Sequence, residues 1–194
     1  MAARVSADPL ATIVGELERH GIPHMLAGSF ASSFHGAPRT THDIDLVVAP
    51  TRAALDRFAS GLDPDRFYVS VDAAREAWGR RGQFNVVLLD SGWKADLILR
   101  KDRPFSLSEF ERRRRVEIDG LAVWIATAED TIVSKLEWAR AGGSERQVRD
   151  VAGILDVSGE RLDLDYIERW VAELDLDPVW ERARAASRHF SAGA

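Results

Sequence analysis

At 194 residues, with 45% hydrophobic side chains and a formal net charge of −5, the chain can bury one sizeable core with little beyond a helical extension. The acidic balance argues against a protein that coats nucleic acid through an overall excess of Lys and Arg, and the absence of cysteine removes disulfides and thiolate chemistry. Any metal is left to oxygen or imidazole donors, which points to Mg²⁺ or Mn²⁺ before structural zinc. No apolar run approaches a membrane span, and the first residues lead into a polar stretch containing Asp8 and Pro9, so a cytoplasmic protein with no membrane partner is expected.

In chain order, Asp8-Pro9 followed by Leu10, Ile13, Val14 and Leu17 supplies an N-cap, a proline at the first helical position and an apolar face at helical spacing. That helix is expected to stop at Gly21. Residues 24–27 read as a short strand, 29–35 as a short helix after Gly28-Ser29, and 43–48 as a second strand. Pro50-Thr51 caps a helix through Phe58 that ends at Gly61. Residues 84–89 and 93–99 are apolar strands joined by Asp90-Ser91-Gly92, and 116–118 and 122–125 are a second hairpin pair joined through Asp119-Gly120. From Thr127 the pattern is helical: Thr127-Ala-Glu-Asp130 opens one helix with Ile132, Val133, Leu136 and Ala139 on a face, Ser144 restarts another through Leu155, and two more lie around 166–174 and 179–188. The expected organisation is a mixed α/β core over residues 1–126 and a helical part over 127–194. The tryptophans on the predicted helices, Trp138, Trp170 and Trp180, read as packing residues.

The stretch LAGSFASSFHGAPRTTHDIDLVVAP, residues 26–50, carries the chemistry. Asp43 and Asp45 are two apart on a strand and project to one face, where their mutual repulsion makes burial costly unless a cation lies between them. Upstream, Gly28-Ser29 opens a helix: glycine lets a phosphate approach the backbone, and the free amides with the helix dipole favour an anion. Asp96, in WKADLILR, is a lone acid inside an apolar strand. Each piece has a plainer reading as a capped turn, a solvated strand face or an edge-strand acid, and it is their order along the chain that is specific.

That order resembles the polymerase-β-like nucleotidyltransferase superfamily, with GSFASSFHGAPRTTHDIDLVV carrying the match and KADLIL supplying the third strand. More narrowly, HGAPRTTHDIDLVV resembles the AbiEii-type bacterial nucleotidyltransferases, which include toxins of toxin–antitoxin pairs and carry a helical lysine and an aspartate on the next helix. TAEDTIVSKLEWAR and ERQVRDVAGIL offer Lys135 and Asp150 for these. The resemblance implies that Asp43, Asp45 and Asp96 bind Mg²⁺ or Mn²⁺, with Asp96 also the base for the acceptor hydroxyl. It further implies that Gly28 and Ser29 hold the NTP phosphates, that Thr41 occupies a hydroxyl position of the toxins, that Lys135 meets the triphosphate, and that Asp150 orients the lysine or the nucleotide. Lys135 also reads as a surface lysine paired with Glu137 or Asp130, and Asp150 as a surface acid beside Arg146 or Arg149. His35 and His42 read as hydrogen-bonding neighbours of the motif.

The function implied is transfer of a nucleoside monophosphate from an NTP to a hydroxyl acceptor with release of pyrophosphate. RNA, at a tRNA 3′ end, is the acceptor expected of a toxin with a cognate antitoxin partner; the run Arg112 to Arg115 supports it and otherwise reads as a solvated helix face. The rival readings are an enzyme modifying an aminoglycoside or lincosamide hydroxyl, for which an acidic surface suits a cationic substrate, and a catalytically silent nucleotide-binding or antitoxin-type partner protein.

Overall fold

The Asp8 side chain accepts the Leu10 amide, and with Pro9 in the first turn it starts helix α1 (Pro9–Arg19), whose Leu10, Ile13, Val14 and Leu17 are all buried. The computed structural model describes residues 8–188. Seven strands among them form one mixed sheet: β1 (His24–Leu26), β2 (Asp43–Val48), β3 (Phe67–Val69), β4 (Gln83–Leu88), β5 (Trp93–Leu99), β6 (Arg114–Ile118) and β7 (Leu121–Ile125), in the order β3-β4-β5-β2-β1-β7-β6. The β2–β5 and β1–β7 pairs are parallel and the others antiparallel. Helices α3 (Arg52–Gly61), α4 (Val71–Arg80) and α5 (Pro104–Arg112) complete this first unit, which comprises the residues up to Leu26 together with Thr41–Ile125.

Alternation fixes which face of the sheet carries chemistry. Along β2, Ile44, Leu46 and Val48 are buried while Asp43, Asp45 and Val47 are not; along β5, Ala95, Leu97 and Leu99 are buried while Lys94, Asp96 and Ile98 lie on the other face. Both hairpins form as expected. Asp119 (φ 48°) and Gly120 (φ 82°) adopt the paired left-handed conformation that suits a two-residue connection, which explains the Asp-Gly composition.

The second unit comprises Ala27–Thr40 and the chain from Ala126 onward: α2 (Gly28–His35), α6 (Ala128–Gly142), α7 (Glu145–Ser158), α8 (Leu164–Glu173) and α9 (Asp177–Ala186). Helix α2 packs on α6 and α7. Thr127 accepts the Asp130 amide through its side chain and so caps α6 as the sequence indicates. The loop after α2 lies hard against α7, where a Cβ on Gly36 would stand 2.8 Å from the Ile154 nitrogen and 2.9 Å from the Gly153 carbonyl carbon. Since backbone must move to admit it, Gly36→Ala should cost about 1–3 kcal/mol, read as a lower melting temperature.

Three elements are absent from the sequence reading. The buried face of α4 is only Ala74 and Ala77, β3 has three residues, and the buried Phe105 and Phe110 of α5 are five apart, which is not a helical ridge. One packing expectation is corrected: Trp170 and Trp180 are buried, but Trp138 is 57% exposed on α6. No helix among the described residues is long and apolar enough to cross a membrane.

Candidate active site

On the first unit, strand register brings the acids together. Asp45 of β2 lies directly opposite Asp96 of β5, and Asp43 lies opposite Lys94. Paired residues of neighbouring strands share a face, so Asp43, Asp45, Lys94 and Asp96 form one polar patch above a buried apolar layer. The Lys94 ammonium stands 3.2 Å from Asp96 Oδ2 and 3.5 Å from Asp43 Oδ1. The hydrogen bond to Asp96 is the main cause that raises the Lys94 pKa, and the charges of Asp96 and Asp43 add to it against partial desolvation. Asp96 Oδ1 is buried and has no hydrogen-bond partner. Thr41 Oγ donates to the Asp43 carbonyl at 3.3 Å and accepts the Asp43 amide at 3.4 Å, so it fixes the backbone where β2 begins. The His42 ring meets the Trp93 ring edge-on at 5.7 Å.

Whether these residues suit a divalent ion follows from the donor set and from one orphaned atom. Hard carboxylate oxygens from two adjacent strands are the ligands Mg²⁺ and Mn²⁺ prefer, and the partnerless Asp96 Oδ1 is an acceptor that a cation would satisfy. With the side chains as they stand, no three His, Asp or Glu groups among the described residues converge into a metal site. The residues fit the ion in kind and in strand register.

On the second unit, Gly28 takes φ 56°, in the left-handed region, and opens α2. A β-branched residue is strongly disfavoured there, so Gly28→Val would disturb the fold as well as any bound phosphate. Ser29 is buried and its hydroxyl accepts from the Arg39 guanidinium. Arg39 also forks onto Asp150, with Nε at 3.1 Å from Oδ1 and an Nη at 3.2 Å from Oδ2. Lys135 Nζ reaches Asp150 Oδ2 at 2.7 Å, and both side chains are nearly buried, at 5% and 8% exposure. Helices α2, α6 and α7 thus bring Ser29, Lys135 and Asp150 into one array, in which Asp150 accepts from both Lys135 and Arg39. Neither residue is the surface group of the plainer reading: both side chains are nearly buried, and they pair with each other.

Burial acts to raise the Asp150 pKa, but the hydrogen bonds and charges of Lys135 and then Arg39 outweigh it and hold the carboxyl below its ordinary value. A depressed carboxyl contributes stability above its unfolded pKa and loses it as pH falls through the folded one. The melting-temperature gap between wild type and Asp150→Asn should therefore be flat above about pH 5 and shrink below about pH 4.

Beside this array lies a cavity of about 310 Å³ lined by Ser32, Ala37, Pro38, Arg39, Arg146, Arg149, Asp150 and Gly153. Three guanidinium groups against one carboxylate make it a positive site. The Ser33 hydroxyl accepts the Arg39 amide at 3.4 Å, which holds the Arg39 backbone in place. His35 Nε2 is hydrogen-bonded to the Ala126 carbonyl at 2.8 Å, and burial is the main cause that lowers its pKa, so the ring is neutral at pH 7.

The sequence reading gave no role to Lys94, Arg39 or Asp130. Lys94 was legible in principle as the residue two before Asp96 and therefore on its face; Arg39 lay inside the quoted motif without a distance to mark it. Asp130, read as part of a cap and as a surface partner of Lys135, is fully buried and accepts from the Tyr166 hydroxyl at 2.5 Å and the Thr127 hydroxyl at 2.6 Å. The basic run does not lie on one helix face. Arg112 ends α5, Arg113 follows it with its guanidinium 4.2 Å from the Phe110 ring centre and 5.1 Å from that of Trp124, and Arg114 and Arg115 are exposed on β6. Burial is the main cause that lowers the Arg113 pKa, and Arg100 adds to it.

No protein-family model and no curated protein matches this sequence. Among solved structures, the chain is similar to the antibiotic-resistance factor ANT(2'')-Ia, with TM-score 0.57 and 16% identity over 86% of this chain and 89% of that one. It is also similar to an antigenic nucleotidyltransferase-like protein from Paracoccidioides brasiliensis, with TM-score 0.51 and 17% identity over 91% of this chain and 90% of that one. At such identities the likeness defines the fold. The mixed seven-stranded sheet with C-terminal helices matches a nucleotidyltransferase fold.

Proposed function

We propose that the protein is a metal-dependent nucleotidyltransferase of the AbiEii type, moving a nucleoside monophosphate from an NTP to a hydroxyl of RNA at a tRNA 3′ end and releasing pyrophosphate. The observation that carries this reading is the register that sets Asp45 opposite Asp96 with Asp43 on the same face, in a sheet of nucleotidyltransferase fold. Asp43, Asp45 and Asp96 would hold Mg²⁺ or Mn²⁺, which when bound supplies neutralisation of the phosphate charge. Asp96 accepts the proton of the acceptor hydroxyl. Gly28 and the amides that open α2, with the Ser29 hydroxyl, bind the β- and γ-phosphates, and Lys135 meets the triphosphate in the orientation that Asp150 sets. Thr41 positions Asp43 through its two backbone hydrogen bonds.

The arginine-lined cavity supports an anionic acceptor over a cationic drug. Arg146 and Arg149, both exposed, are better probes than Arg113, whose ring contacts serve the fold. Reversing Arg146 and Arg149 to Glu should raise the KM for tRNA roughly tenfold at moderate salt and flatten its salt dependence by about two phosphate contacts. An aminoglycoside acceptor would respond with unchanged or lower KM. A toxin of this type works beside a cognate antitoxin, and co-purification of the protein with the product of a neighbouring small reading frame would support that part of the reading.

Calorimetric titration with each NTP and Mg²⁺ tests the nucleotide half separately. Wild type should bind at least one NTP, and Ser29→Ala should weaken it several-fold by deleting one phosphate donor. Equal affinity for the two proteins would remove Ser29 from the phosphate site.

A further inference from the structure

The acid patch contains its own cation. Lys94 is held there by the sheet: it lies opposite Asp43 in the parallel β2–β5 register and two residues before Asp96 on the same strand face. An ammonium at that position has both carboxylates within reach, and it makes both contacts, to Asp96 Oδ2 and Asp43 Oδ1. Meanwhile Asp45 and Asp96 are direct cross-strand neighbours, an arrangement that like charges destabilise. One oxygen of Asp96 is committed to the lysine and the other is buried without a partner.

Resting on the metal-site reading above, we infer that Lys94 is a tethered counter-cation that bridges Asp43 and Asp96 in the metal-free protein and competes with the divalent ion for their oxygens. The ammonium contacts an oxygen of each of two carboxylates that the ion would share. Two consequences follow from electrostatics. The lysine lowers metal affinity, because a divalent ion must displace or approach a positive charge a few ångströms away. It also stabilises the patch, because its charge offsets the repulsion between the Asp43 and Asp96 carboxylates that it bridges.

The residue is therefore a positioning residue for the proposed chemistry, and its effect can be read without any turnover. Mn²⁺ binding is followed by electron paramagnetic resonance, and melting is followed with and without Mn²⁺, for wild type, Lys94→Met and Lys94→Arg. Methionine keeps an unbranched stem and removes the charge; arginine keeps the charge. Lys94→Met should bind Mn²⁺ roughly tenfold tighter than wild type, melt lower than wild type without metal, and recover when Mn²⁺ is added. Lys94→Arg should stay close to wild type in both measurements. Equal or weaker Mn²⁺ binding by Lys94→Met, with wild type binding the ion, would overturn the competition while leaving the metal site standing. Absence of Mn²⁺ binding in all three proteins would overturn the metal site and this inference with it.

Discussion

Asp45→Asn should reduce nucleotidyl transfer by roughly a thousandfold or more, about 4 kcal/mol of transition-state stabilisation, while the protein remains folded. Asparagine keeps the shape of the side chain and one of its acceptor oxygens but removes the negative charge that a divalent ion requires. The fold is not expected to suffer, because the substitution also removes the like-charge pairing with Asp96 across the β2–β5 ladder. Circular dichroism and thermal melting establish the second half of the result, and single-turnover kinetics with saturating NTP establish the first. Transfer at the wild-type rate would show that the acid patch is not the catalytic one.

The largest effect on stability is expected at Asp150. Removing this carboxylate by Asp150→Ala takes away the group that the buried Lys135 and the half-buried Arg39 share, and breaking a buried pair in this way costs about 3–5 kcal/mol. NTP affinity should fall as well, because Lys135 loses the hydrogen bond that orients it. The double variant Lys135→Met/Asp150→Leu separates the two roles. Replacing the whole pair with apolar side chains of similar size should return part of the melting temperature, whereas NTP binding should stay lost. Recovery of both together would mean that the pair serves packing alone.

Much of this arrangement is readable along the chain because strand alternation is local. Asp43-Ile-Asp45 followed by Leu46-Val-Val48 states that the two acids share a face, and the structure agrees at every position of β2. Both hairpin turns and the Thr127 cap are likewise set by residues within a few positions of one another. The pairing of Asp45 with Asp96 was a matter of resemblance in the sequence, since register between strands fifty residues apart depends on the whole sheet. The same holds for the contacts from Arg39 to Asp150, which join a loop to a helix more than a hundred residues on. Short or weakly apolar elements such as β3 and α4 stay hidden because their buried face is too small to make a periodic signal. The four consecutive arginines show the opposite error. Their clustering in sequence suggests a single basic surface, yet the chain turns from α5 into β6 within the run and stacks Arg113 on aromatic rings.

The central claim, that this chain transfers a nucleotide from an NTP to a hydroxyl acceptor, is tested most directly by incubating it with each α-labelled NTP in turn, Mg²⁺ and total tRNA, and with an aminoglycoside in place of tRNA, while pyrophosphate is measured in the same reactions. The prediction is label in the tRNA fraction from at least one NTP, pyrophosphate released in equal amount, and neither product with Asp45→Asn. Label on the aminoglycoside alone would keep the chemistry and replace the acceptor. No label on either acceptor and no pyrophosphate from any NTP, in a protein shown by melting to be folded, would contradict the claim.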